Sequence, residues 1–154
     1  METDVATFAA GCFWGVEDRF RRLPGVIDVI SGYTGGHVDH PDYRSVCRGE
    51  TGHAEAVEVR FDPDRVGYEA LVRAFFEMHD PTTANRQGPD VGTQYRSAIF
   101  THGESQRAAA ERVRDERQAV SDRPIVTEIT GATAFWPAED YHQRYIEKRR
   151  SGAL

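Results

Sequence analysis

Only two of the 154 residues are cysteine, Cys12 and Cys47. That scarcity excludes a disulfide-stapled scaffold and leaves no second cysteine pair for a zinc ribbon. No apolar run approaches the roughly 20 residues of a membrane span, and the N-terminal "METDVATF" has neither a basic start nor an apolar signal stretch. The chain is therefore read as cytoplasmic, with no membrane partner. Internal repeats, low-complexity segments, long charge blocks and a heptad seam are all missing, which makes a monomer the expectation. A net charge of -6 offers no basic surface for nucleic acid. What remains is 39% hydrophobic and 29% charged residues, the composition of one globular domain over residues 1–154 with enough chain to bury a core.

The hydrophobic pattern sets out an ordered series of elements. "ATFAAG" reads as a short strand, and residues 13–22 as a helix with Phe13, Val16, Phe20 and Leu23 on one stripe before Pro24-Gly25. "VIDVISGY" is a second strand and "AEAVEVRF", residues 54–61, a third. Residues 67–79 form an amphipathic helix ended by Asp80-Pro81. A long polar loop, "TTANRQGPDVG", leads into a strand "TQYRSAIF". A charged helix at about residues 104–120 follows, then a strand near "IVTEI", a short "TAFWP" segment, and a last helix starting near Ala138. The order predicts an α+β fold: a mixed β-sheet with packed helices, a ferredoxin-like βαββαβ core and a C-terminal extension.

Two residues in this series carry unusual chemistry for their place. Cys12 falls at the start of the first helix, where free backbone N–H groups and the positive dipole end lower a thiol's pKa. Its alternative is a small buried apolar residue. In the third strand, period two puts Glu55 on the face of Val57, Val59 and Phe61. A carboxyl on a buried face has its pKa raised, and such a group can hold a proton near neutral pH and deliver it. It can equally be a partnered carboxylate at a strand end. Phe13 and Trp14 cannot both face the core, because successive helical side chains diverge by about 100°. One is left near Cys12 as an apolar wall that suits a methyl group on sulfur. Tyr43 and Tyr95 lie in polar or glycine-rich contexts where a hydroxyl can donate, and Asp90 in "GPDVG" either holds a turn or orders a site. Cys47 is expected to pack in the interior, and His79 and His142 to play structural parts. His37, His40 and His53 do not have zinc-ligand spacing, so no metal is expected.

Five segments, in order, carry a resemblance: "GCFWGVE", "GYTGG", "YRSVCRGETGHAEAVEV", "NRQGPDVGTQYRS" and "PAEDYHQRY". Together they are similar to peptide methionine sulfoxide reductase of the A type, over about residues 5–147. The resemblance implies reduction of the S epimer of methionine sulfoxide, free or in oxidised proteins. It makes Cys12 the nucleophile and Glu55 the proton donor. It places Tyr43, Tyr95 and Asp90 in the site, and Phe13 and Trp14 around the substrate methyl. No bound cofactor is implied. Cys12 becomes a sulfenic acid, and an external thiol reductant (thioredoxin, glutaredoxin or a small thiol) restores it.

Many family members carry resolving cysteines in a C-terminal tail, whereas this chain ends "EKRRSGAL". A one-cysteine cycle is the expectation; the alternative is resolution of Cys12 by Cys47. Two rival functions stay on the table. A Cys/His thiol hydrolase would need a histidine on Cys12, and His53 is the candidate. A non-enzymatic module would bind oxidised or apolar side chains through Phe13 and Trp14.

Overall fold

The computed structural model describes residues 2–152. Strand β1 (Asp4–Ala10) leads into helix α1 (Phe13–Arg21), strand β2 (Val26–Thr34), a short helix α2 (Tyr43–Cys47), strand β3 (Ala54–Phe61) and helix α3 (Tyr68–Glu77). A small hairpin, β4 (Arg86–Gln87) and β5 (Asp90–Val91), precedes β6 (Ser97–Thr101), α4 (Glu104–Ala119), β7 (Glu128–Gly131), β8 (Trp136–Pro137) and α5 (Tyr145–Arg150). The main sheet runs β7-β6-β1-β3-β2-β8. Its first four core strands, in the order β6-β1-β3-β2, pair antiparallel throughout, and only the added β7 lies parallel to its neighbour β6. The α+β class is therefore as expected, and the split order of the core is compatible with a ferredoxin-like arrangement.

β1 lies between β3 and β6, so both its edges are paired, and its last five residues are all buried. On one face Phe8 stacks on Phe20 of α1 at 4.9 Å and on Phe75 of α3 at 5.3 Å, at the centre of the main core. Removing such a ring costs about 3–5 kcal/mol. The other face is built from small residues, Ala9, Ala54, Ala56 and Ala98, with Phe100. The stretch carrying Ala132 and Phe135 lies directly on them.

Four expectations need correction. The polar loop is not structureless: Gln87 holds Asp80 at both its backbone groups, donating to the carbonyl at 2.8 Å and accepting from the N–H at 2.9 Å. Gly92 N–H closes the hairpin base on the Asn85 carbonyl. The strand expected from Thr93 begins only at Ser97, because Thr93–Tyr95 curls into a 3₁₀ turn whose Tyr95 N–H returns to the Gly92 carbonyl. The strand expected near Ile125 is shifted to Glu128–Gly131, since Ile125 and Val126 spend their N–H groups on Gln118 and on Pro81. The last helix does not start at Ala138. A 3₁₀ turn, Asp140–His142, comes first, and Arg144 adopts a left-handed backbone, φ 55°. That conformation lets the Arg144 N–H reach both carboxylate oxygens of the buried Glu17 at 3.0 Å. Helix α2 was not foreseen; Asp42 and Ser45 cap it reciprocally.

Candidate active site

Gly11 turns the chain between β1 and α1 with φ 96°, a left-handed conformation that glycine tolerates. A β-carbon there would also sit 2.8 Å from Cγ of Gln87. The turn delivers Cys12 as the residue capping α1. The first N–H group of that helix, on Phe13, donates to Glu55 Oε1 at 3.2 Å. The Cys12 side chain makes no capping hydrogen bond, though the nearby Trp14 N–H favours its thiolate. The peptide group next to Cys12 thus ties the carboxyl of β3 to the cysteine's helix start.

Glu55 is 2% exposed, as the strand parity required. Burial raises its carboxyl to about 7, against the pull of the Phe13 N–H and with help from the Asp90 charge. Cys12 departs from expectation. Burial pushes its thiol up to about 11, outweighing the Trp14 N–H, and the charges of Glu55 and Asp90 add to the rise. The helix start does favour the thiolate, but desolvation beside two acidic side chains wins. In the resting site the thiol keeps its proton.

Asp90 sits on β5, and the 3₁₀ turn that follows carries Tyr95. The Tyr95 phenol is raised to about 12 by burial first, then by the nearby Glu55, Cys47 and Asp90 charges. Tyr43 opens α2, and burial first, then the neighbouring Cys47, raise its phenol further still. At neutral pH both phenols are therefore donors. Cys47 itself is exposed and does not pack in the interior; its neighbour Val46 takes the inward position. Phe13 and Trp14 divide as helical geometry demands. Phe13 is 1% exposed, against Tyr33 and His142, while Trp14 is half-buried.

The C-terminal extension contributes residues that sequence reasoning gave no functional part. Glu139 accepts from the Tyr33 hydroxyl at 2.8 Å and from the Tyr43 N–H at 3.0 Å, which ties α2 to β2. His142 accepts the indole N–H of Trp14 at 2.9 Å, and the Tyr145 ring stacks on that indole at 3.8 Å. The "PAEDYHQRY" segment was visible as a motif, but its contacts span more than 90 residues and leave no local periodicity.

His53 is not available as a base for Cys12. Its Nδ1 accepts from the Gly36 N–H and its Nε2 donates to the Val38 carbonyl at 2.6 Å. The hydrolase reading therefore loses its histidine. A groove of about 570 Å³ between α3 and α4, lined by Tyr68, Glu69, His102 and Arg112, contains neither Cys12 nor Cys47.

A cysteine at a helix start lies beside a buried carboxyl raised to about 7, with two phenols near that carboxyl, an arrangement suited to thiol-dependent redox chemistry. The family model for peptide methionine sulfoxide reductase matches residues 4–154. A peptide methionine sulfoxide reductase MsrA of Geobacter metallireducens is 57% identical over 155 residues, covering 99% of this chain and 95% of the relative. The reduced form of Mxr1 from Saccharomyces cerevisiae superposes with a TM-score of 0.92 at 37% identity, covering 98% of this chain and 88% of that one. The same yeast protein in complex with Trx2 matches with a TM-score of 0.68 at 26% identity, over 94% of this chain and 85% of that one. The chain belongs to the peptide methionine sulfoxide reductase family, A type, and reduces methionine sulfoxide to methionine.

Proposed function

We propose that Cys12 is the nucleophile and Glu55 the proton carrier of this reduction. The observation that carries the reading is the hydrogen bond from the Phe13 N–H, the peptide group next to Cys12, to the buried Glu55 carboxyl. The sulfoxide sulfur is attacked by Cys12, and the S–O oxygen takes the proton that Glu55 holds. Tyr43 and Tyr95 donate hydrogen bonds to that oxygen, and burial with the Asp90 charge raises Glu55 enough to take up the thiol proton near neutral pH. Phe13 forms the floor and Trp14 the wall against the substrate methyl.

The step balances without an outside proton. Cys12 thiol plus sulfoxide gives Cys12 sulfenic acid plus thioether; the oxygen moves to Cys12, whose sulfur is oxidised as the substrate sulfur is reduced. Because the thiol starts protonated, its proton is the one finally carried on the sulfenic oxygen, relayed through Glu55.

An external thiol then condenses with the sulfenic acid, releasing water, and a second thiol restores Cys12. The yeast relative's complex with Trx2 favours a thioredoxin-like reductant over glutaredoxin or a small thiol. Oxidised proteins and free methionine sulfoxide are both substrates in this reading. The chain acts as one domain, as a monomer, in the cytoplasm; among the described residues no helix is long and apolar enough to cross a membrane.

Intact mass after one turnover tests the scheme. Reduced protein is mixed with S-methionine sulfoxide and no reductant. Gain of one oxygen with stoichiometric methionine is the expected result. Loss of two hydrogens would mean that Cys47 resolves Cys12. No methionine and no mass change would remove the assignment of Cys12.

A further inference from the structure

His142 is 1% exposed and touches four aromatic rings: Phe13, Trp14, Tyr43 and Tyr141, with centroids between 4.2 and 5.6 Å away. Its two nitrogens are unequal. Nδ1 accepts the Trp14 indole N–H, so the ring must carry its proton on Nε2. Nε2 has no hydrogen-bond partner among the described residues. An unpartnered N–H among ring faces is tolerable for a neutral imidazole. A second proton is not, because Nδ1–H would then oppose the indole N–H.

We infer that His142 is the positioning residue for Trp14, holding the indole as the wall of the substrate-methyl pocket, and that protonation of His142 releases it. The inference rests on the reading of Trp14 given above. It goes beyond that reading by making the wall conditional on one proton.

The surroundings set the direction. Burial lowers the His142 pKa, and the Glu139 carboxylate of the same segment opposes this. Among the described residues, the rings facing it are the Tyr43 phenol from α2, the uncharged Phe13 and Trp14 from α1, and the Tyr141 phenol. None of these supplies a second acceptor at Nδ1. The neutral ring therefore holds at pH 7, and the contact fails as pH falls below the ordinary histidine range.

The experiment uses Trp136→Phe as background, so that Trp14, the other of the two tryptophans, gives the only indole emission. In that background, His142→Phe keeps a ring and removes the acceptor, while His142→Gln keeps an acceptor that cannot titrate. KM for methionine sulfoxide, single-turnover rate at saturation and Trp14 emission are measured from about pH 7 to about pH 5. His142→Phe should raise KM roughly tenfold, change the saturated rate less than about threefold, and shift the emission. His142→Gln should recover most of the KM and the emission, and lose the acid-side rise in KM that the histidine protein shows. Glu55 is present in all three proteins, so its own titration cancels. Emission identical in the histidine, Phe and Gln proteins, or equal KM in Phe and Gln, would overturn the inference. Emission that follows His142 with a KM that does not would leave the positioning intact and remove Trp14 from the substrate pocket.

Discussion

The two halves of the site are built by different means. The Cys12–Glu55 half is held by the Phe13 peptide group at one helix start and by a neighbouring strand, within the first 61 residues. The Trp14 half is held by side chains of Glu139, His142 and Tyr145, reaching back across more than 90 residues. Backbone-fixed groups are hard to displace without unfolding the helix. Side-chain-fixed groups can be displaced one hydrogen bond at a time. The Cys12–Glu55 pair is therefore rigid, and the surroundings of Trp14 are adjustable.

The largest effect breaks the first half alone. Cys12→Ser should lower methionine release by more than about a thousandfold while leaving thermal unfolding nearly unchanged. Near-wild-type release would sink the nucleophile assignment.

Next comes the proton. With the thiol near 11 and the carboxyl near 7, the reactive pair holds one proton between them. Below about pH 7 both groups are protonated and that form becomes rarer; between about 7 and 11 it persists. The single-turnover rate should therefore fall on the acid side and stay flat above. Glu55→Gln should slow it about 100- to 1000-fold, and the rate should instead climb with pH as the thiolate forms. A flat profile in the variant would deny the shared proton.

A third test reaches the tie between the end of α3 and β6, away from both halves. His79 donates from Nδ1 to the Phe75 carbonyl and accepts from Ser97 at Nε2, and burial lowers its pKa to about 4 from 6.5. The unfolded chain therefore binds the extra proton first. Stability should be lost as pH falls from about 6.5 toward 4, by up to about 3 kcal/mol. Urea unfolding of His79→Gln should show a correspondingly shallower acid slope; an unchanged slope would place the loss elsewhere.

The remaining two effects are smaller. Glu139→Gln leaves one of the two donors, Tyr33 hydroxyl or Tyr43 N–H, without its acceptor. It should cost about 1–2 kcal/mol of unfolding free energy and slow turnover, with Cys12 still oxidised to completion. Gln87→Ala removes the clamp on Asp80. It should cost about 1 kcal/mol and admit protease within residues 82–92, and resistance equal to wild type there would dismiss the clamp.

Legibility followed the same division. Period two placed Glu55 inward, and helical spacing gave α1, α3 and α4 close to their observed bounds, because those patterns are local. The capping pair Asp42–Ser45 was also local, and could have revealed α2. The hairpin at Arg86–Val91 could not be read, because polar side chains bonded to distant backbone organise it. Nor could the turn at Arg144, whose left-handed backbone is set by Glu17. The raised Cys12 thiol was misjudged because a helix start is visible in sequence and desolvation is not.

The Glu17 contact to Arg144 has a consequence for biosynthesis. As the chain emerges from the N-terminus onward, Cys12 and Glu55 can meet once β3 is made. Trp14 has neither its acceptor nor its stacking partner until residues 142–145 follow, almost 90 residues later. At the 5–20 residues per second of translation, that interval lasts about 5–20 seconds. During it Cys12 and Glu55 lie together while the Trp14 indole has neither its acceptor nor its stacking ring. The docking of Arg144 on Glu17 sets its near neighbours His142 and Tyr145 against Trp14 and ends that period.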